Sequence, residues 1–212
     1  MKSIAGLAIL LLSTFSICYG QSVFDDIDTI KYPYHKWNNL DIKACNTARH
    51  SYYMSKEERN TIWIINLARF DGALFAQTFF REYLEKDDLE HTIYVRTLYK
   101  DLNRTHEQGL LKPDKKLFRL AKSHAVWSGK EGSTGHQNFD NRADKYNGST
   151  FSECCDYGNE KGLDIVMSLL IDEDVPSLGH RKNLLDKNIK YIGISIQPHS
   201  YYSFNCVIDC AD

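Results

Sequence analysis

The chain has 212 residues, 42% of them hydrophobic and 25% charged, with 26 Lys and Arg against 28 Asp and Glu. This near-balance, with no basic stripe along the chain, excludes the usual electrostatic footprint of a nucleic-acid binder. A leader aside, the length suffices for one substantial hydrophobic core and offers no convincing boundary that would divide it.

Lys2 opens an apolar run over residues 4–17, and Cys18-Tyr19-Gly20 follows with small residues before Gln21. A basic start, a short apolar run and a small-residue exit predict a secretory signal peptide over residues 1–20, and hence a secreted or extracytoplasmic protein. The run is short for a membrane anchor, which needs roughly 20 apolar residues. Ile17 is a poor neighbour for a lipid-modified Cys18, so cleavage without lipidation is expected. No later run is long enough to span a bilayer, and no integral membrane segment is expected once the signal is removed.

Residues 21–39 mix aromatic, acidic and proline residues without a period and predict an N-terminal arm. A domain over residues 40–212 follows. Helical periodicity begins near Asp41, and Ser55 with Glu58 forms a capping box for a helix carrying Ile62, Ile65 and Ala68. Phe70-Asp71-Gly72 interrupts it, and a further helix runs through Phe75, Phe79 and Tyr83. A polar stretch over residues 101–108 ends another short helix. Pro113 and Asp114 start a helix carrying Leu117, Leu120, Ala121, His124 and Ala125, expected to stop before Gly129. Residues 129–159, rich in Gly, Ser, Asn and Asp, read as mostly loop, ordered by Phe139, Tyr146, Phe151 and Tyr157. An apolar helix over residues 162–173, a turn at Pro176-Ser177 and a short helix over residues 180–185 come next. Two strands close the chain, over residues 191–196 and 201–208. Helices first and strands last predict an α+β fold.

Five cysteines remain after the leader: Cys45, Cys154, Cys155, Cys206 and Cys210. In an exported protein some are expected to be oxidised. Adjacent Cys154 and Cys155 are badly placed to bond each other. A link from that pair to Cys206 or Cys210 would tie mid-chain to the C-terminus, and two such links are possible. Cys45 is then the odd one, with the connectivity left open. Without a CxxC spacing, a cysteine metal site is the weaker reading.

His136, Glu153 and His180 each sit at a turn or an element end, where side chains converge on a rigid scaffold. Two neutral imidazoles can ligate a divalent ion, with Glu153 orienting a bound water, or one imidazole oriented by Glu153 can act as a general base. Ser177 near His180 lacks the G-x-S-x-G setting of a nucleophile, and no H-E-x-x-H motif is present. Taken singly, each histidine reads more simply as a satisfied structural group. Asn66 and Arg69, one helical turn apart, read as a structural network. His124 reads as a core-edge histidine, Arg142 as a partner of Asp144, and Asp172, Glu173 and Asp174 as the end of an apolar helix.

Several of these stretches occur together in one family. Asn66-Leu67-Ala68-Arg69, the set Leu117, Ala121, His124 and Ala125, Gly135-His136 with Phe139 and Arg142, Ser152-Glu153, and Ser177-Leu178-Gly179-His180-Arg181-Lys182-Asn183 resemble the CAP superfamily. That family contains cysteine-rich secretory, antigen 5 and pathogenesis-related 1 proteins, and the last motif is most similar to its microbial branch. The resemblance covers roughly residues 60–208. It implies a three-layer α-β-α sandwich with a central antiparallel sheet. It also implies a cleft of two histidines and two acidic residues, here His136, Glu153, His180 and Glu173, with Asp172 as the neighbouring alternative to Glu173. Some members bind zinc or another divalent cation through the histidine pair and some bind lipids, and the family carries no general reaction. Here Cys154-Cys155 follow Glu153 where Asn and an aliphatic residue are common, and Leu170 stands where Trp is frequent. The cysteine spacing is unlike the C-terminal extension of animal members and lends no support to ion-channel toxicity.

The expected function is a secreted binding module with a polar His/Glu cleft that takes a divalent metal. Its extracellular ligand would be a lipid, a peptide or an envelope polymer. The alternatives are a metal-assisted hydrolase of peptides or envelope polymers, and a structural or lipid-binding interaction protein without catalysis.

Overall fold

A computed structural model of the chain describes residues 36–87 and 92–212. The predicted leader and most of the predicted arm lie outside the described residues. Of the arm's aromatics only Trp37 is described. It is buried, donates from Nε1 to Thr78 Oγ1 at 3.1 Å and meets Phe79 edge-on.

Helix α1 (Asn39–Cys45) leads into α2 (Lys56–Phe70). The Ser55 hydroxyl accepts from Glu58 N at 3.2 Å and Glu58 Oε2 accepts from Ser55 N at 2.6 Å, so the capping box read from the sequence is present. Glu58 Oε1 also accepts from Ile196 N at 3.0 Å, which ties the helix start to the sheet. The periodicity suggested one apolar face, but α2 is buried nearly all round, from Thr61 to Arg69. It is enclosed by α1, the sheet and the later apolar helix Gly162–Ile171, and its polar residues are satisfied by backbone. Asn66 bridges Cys45 O, Leu111 O and Leu111 N. Arg69 donates to the carbonyls of Gly109, Leu184, Asp186 and Ile189 at 2.8–3.2 Å. Both act as structural staples.

Next come α3 (Gly72–Phe75), a π-helical turn (Ala76–Phe80), α4 (Arg81–Asp87) and α5 (Ile93–Leu102). The two-residue β1 (Lys112–Pro113) precedes α6 (Lys115–Glu131), capped by Asp114, whose carboxylate accepts from Lys116 N and Leu117 N. The helix runs through Gly129 to a left-handed Gly132. Gly129 therefore serves close approach rather than termination, since a Cβ there would lie 2.1 Å from Pro198 O.

The stretch expected to be loop is instead two elements, α7 (Phe139–Tyr146) and β2 (Phe151–Tyr157). Helix α7 is polar and short, with left-handed Asn138 and Asn147 at its ends, so its composition resembles a turn. It is held by Arg142, which reaches Glu153 in β2, and by Phe139 against Phe151 at 5.3 Å between ring centres. Strand β2 was hidden because its inward positions carry Glu153 and Asp156 instead of aliphatic side chains. Helices α8 (Gly162–Ile171) and α9 (Gly179–Leu184) and the hairpin β3 (Tyr191–His199) and β4 (Ser203–Ala211) complete the chain.

The strand order is β1-β3-β4-β2, antiparallel except for the short parallel β1–β3 pairing. Strand alternation sends Ile192, Ile194, Cys206, Ile208, Cys210 and Cys154 into the core shared with α2 and α8. Gly193, Asn205, Val207 and Cys155 turn to α6. Asn205 donates to Ala125 O and Ser128 Oγ there. The result is a sheet between helical layers, the expected α-β-α sandwich. Among the described residues no helix is long and apolar enough to cross a membrane.

The expected disulfides are absent, and all five cysteines are free, buried thiols. The register explains why. Cys154 lies opposite Ile208, diagonal to Cys206 and Cys210, and Cys155 lies opposite Val207 on the other face. Diagonal neighbours stand roughly 7–8 Å apart, beyond bridging distance. Burial raises the Cys45 and Cys210 thiols to about 12, so they stay neutral.

Two outcomes follow from this packing. Excess reductant should leave the melting temperature unchanged, and thiol titration after denaturation should find Cys45, Cys154, Cys155, Cys206 and Cys210 unpaired. Gly193→Ala would place a Cβ 2.0 Å from Phe118 N and 2.2 Å from Leu117 C. Urea titration should show a loss of about 1–3 kcal/mol as the helix is forced off the sheet.

Candidate functional site

Strand β2 is an edge of the sheet, and the site is built across it. The Glu153 side chain is fully buried. Its Oε1 accepts from His136 Nδ1 at 2.8 Å, and its Oε2 accepts from Arg142 Nε at 3.0 Å and from Arg142 Nη2. Arg142 also donates to Gln137 O at 2.6 Å, so it holds the turn carrying His136 as well as the carboxylate beneath it. It does this in place of pairing with Asp144. The same turn is clamped at Gly135, whose carbonyl accepts from His124 Nε2 at 2.9 Å and whose N–H donates to the Tyr157 hydroxyl at 2.7 Å. Burial opposes the charge on Glu153. The His136 hydrogen bond and the Arg142 and His124 charges together outweigh burial and hold its pKa below the usual carboxylate value.

The opposing residue in the register is Asp209, fully buried, with neither carboxyl oxygen meeting a conventional donor. Burial first, and then the Glu153 charge, push its pKa well above the usual carboxylate value. Asp209 therefore keeps its proton and can donate it toward Glu153, which satisfies two carboxyl groups with one negative charge.

The second imidazole is placed by Asp172. This residue ends α8 in a left-handed conformation, φ 57°, and its carboxylate turns to the start of α9. There it accepts from His180 N at 3.0 Å, Arg181 N at 3.3 Å and His180 Nδ1 at 2.8 Å. One side chain thus caps a helix that lacks a local cap and orients its histidine. Arg181 locks the arrangement, donating to Leu170 O, Ile171 O, Tyr94 O, Thr97 Oγ1 and Asp101 Oδ2. Asn183 then reaches the free edge of β2, donating to Glu153 O at 3.4 Å.

His136, Glu153 and His180 therefore come together, with the two imidazole centres 6.5 Å apart and tilted by 41°. Glu173 stands apart. It is exposed and accepts from Thr92 Oγ1 at 2.9 Å, and the carboxylate on His180 is that of Asp172. Ser177 is exposed, and Asp172 already occupies His180 Nδ1. Sequence reasoning missed Arg142 as the partner of Glu153 and missed Asp209 altogether. The available signal for Asp209 was an acidic residue at an inward position of the apolar run Cys206-Val207-Ile208-Asp209-Cys210.

Carboxylates only accept, so the Nδ1 of both histidines carries the proton and Nε2 presents its lone pair. Among the described residues neither Nε2 meets a protein partner. A carboxylate behind each imidazole is the arrangement that orients metal-ligating histidines. Two imidazoles sharing one zinc hold their ring centres about 5 Å apart. His124, Glu153 and Cys155 form a second, buried cluster capable of holding a metal ion, with ligand atoms within 4.8 Å of one another.

Asp209→Asn tests the carboxyl pair. Because the folded pKa of Asp209 is raised, its native proton favours folding at low pH and opposes it as the unfolded chain ionises above about pH 4. The amide keeps a donor for Glu153, so the variant should be more stable than the parent at pH 7. The gain should vanish toward pH 4. Urea titrations at both pH values measure it, and a loss at pH 7 would contradict the shared proton.

Among solved structures, an outer surface protein from Borrelia burgdorferi is 22% identical with a TM-score of 0.42, covering 58% of this chain and 96% of that one. A cysteine-rich secretory protein from Staphylococcus aureus is 15% identical with a TM-score of 0.40, covering 56% of this chain and 38% of that one. No curated protein matches the chain. The profile of the CAP family, described as the cysteine-rich secretory protein family, matches residues 42–210, which include every element from α2 to β3 and nearly all of β4. The chain belongs to the CAP family.

Proposed function

We propose that this protein is a secreted module whose cleft takes up a divalent cation, zinc or a similar ion, through Nε2 of His136 and His180. The observation that carries this reading is the pair of imidazoles, each backed by a buried carboxylate at 2.8 Å and only 6.5 Å apart. Asp172 and Glu153 supply orientation and negative charge beneath the rings, and Arg142 keeps Glu153 ionised and still. A bound divalent ion would supply a Lewis acid at the cleft. Family membership supports a secreted or extracytoplasmic location.

The buried His124, Glu153 and Cys155 cluster is less suited to an ion. Its carboxylate already faces the Arg142 guanidinium, and burial holds the Cys155 thiol far above its ordinary pKa, whereas a metal needs the thiolate. The expected extracellular ligand, whether lipid, peptide or envelope polymer, belongs to a cleft in which the ion is one fixed point of attachment.

Zinc titration by calorimetry separates the two ion sites. His136→Ala with His180→Ala should abolish stoichiometric uptake while circular dichroism stays unchanged. Asp172→Asn should weaken uptake by about 10–100-fold by freeing the His180 ring, and Cys155→Ser should leave it unchanged. Full uptake by the double variant sinks the assignment, and loss confined to Cys155→Ser moves the ion to the buried cluster.

A further inference from the structure

Beside His180, on the α8 side of β2, lies a cavity of about 600 Å³. That is the size of a small-molecule site. Tyr83, Val95, Leu169 and Ile171 supply apolar wall, and the charged groups lining it are acidic: Asp156, Asp172 and Glu173. Among the described residues no Lys or Arg lines it. An aliphatic acid or a phosphate ester would have to bring its anion against three carboxylates, where like charges repel. A cation meets the opposite field.

The three acids differ in what they have left to offer. Asp172 is committed to three N–H groups of α9, and Glu173 sits at the exposed rim with Thr92. Asp156 is only 4% exposed and accepts from Asn159 Nδ2 at 3.2 and 3.0 Å, with a further hydrogen bond from Ser168. A carboxylate has about four acceptor positions, so Asp156 keeps capacity for another donor. It is the buried acid of the cavity lining that still has room for a donor.

We propose that this cavity binds a small organic cation with an apolar body, a primary ammonium donating to Asp156 while its hydrocarbon part lies against Val95, Leu169 and Ile171. Glu173 adds attraction at the entrance. The site adjoins the imidazole cleft and does not require an ion there, so the two readings stand or fall separately.

The test uses the full chain at pH 7 with EDTA present and three probes of equal length: octylamine, octanol and octanoate. Calorimetry should show one equivalent of octylamine bound at least about tenfold tighter than octanoate, the value of one charge-assisted hydrogen bond, with octanol between them. Asp156→Asn should weaken octylamine by about tenfold or more and leave zinc uptake, measured without EDTA, unchanged. Val175→Trp, which fills the cavity from a loop on its rim, should weaken all three probes while circular dichroism stays native. Octanoate binding as tightly as octylamine would overturn the proposal. So would octylamine binding that neither variant alters, or no octylamine binding by the folded protein.

Discussion

Two carboxylates must be kept charged inside this fold, and the rest of the site is arranged around that requirement. Removing a carboxylate from water costs several kcal/mol unless donors replace the solvent. Glu153 receives two N–H groups from Arg142 and one from His136, and Asp172 receives two backbone N–H groups and one from His180. Satisfying these acids forces both imidazoles into one orientation, proton on Nδ1 and lone pair on Nε2. The cleft's chemistry is therefore a by-product of the cost of burial.

The same donors build the surrounding structure. Arg142 is the main inward anchor of α7, a helix too polar to be held by apolar packing alone. Asp172 ends one helix and begins another, and Arg181 next to His180 fastens that junction to α5. Arg69 does the equivalent work below, tying α2 to the segments before β1 and β3. Each of these arginines spreads its donors over carbonyls and at most one acid, Arg181 adding the Thr97 hydroxyl, which suits a planar group with five N–H bonds. The edge of β2 is closed by α9 through Asn183, which also protects a strand whose outer backbone would otherwise be free to pair.

Asp172 and His180 lie between two different environments. On one side stands the imidazole pair above Glu153. On the other is a cavity with apolar walls and acidic lining that includes the buried Asp156. Asp156 is raised to about 6, mainly by burial, in contrast to Glu153, which has a guanidinium at hand. The difference between the two acids is a difference in partners more than in depth. It gives the two sides of β2 distinct preferences, lone pairs that suit a metal ion against carboxylates that suit an organic cation.

Local rules were enough for much of this. The Ser55–Glu58 capping box, the Asp114 start of α6, the apolar α8 and the closing hairpin are written in short-range patterns, because capping and periodicity depend on residues three or four apart. The clustering of His136, Glu153 and His180 was legible only through a set of motifs in order. Their spacing of 17 and 27 residues carries no geometric information of its own. Tertiary structure decided the rest. Elements α7 and β2 looked like loop because their stability comes from Arg142 and Glu153 meeting across eleven residues. The choice of Asp172 over Glu173 turned on the left-handed end of α8, where the Asp172 carboxylate meets His180 and that of Glu173 meets Thr92. Oxidation of the cysteines was a fair expectation from composition, and register alone excluded it, since a strand pairing that sets Cys154 against Ile208 leaves no two sulfurs in reach. Sequence determines which groups are present and which helices begin where. Only the folded chain determines which charges share a partner, because that depends on contacts between residues far apart in the chain.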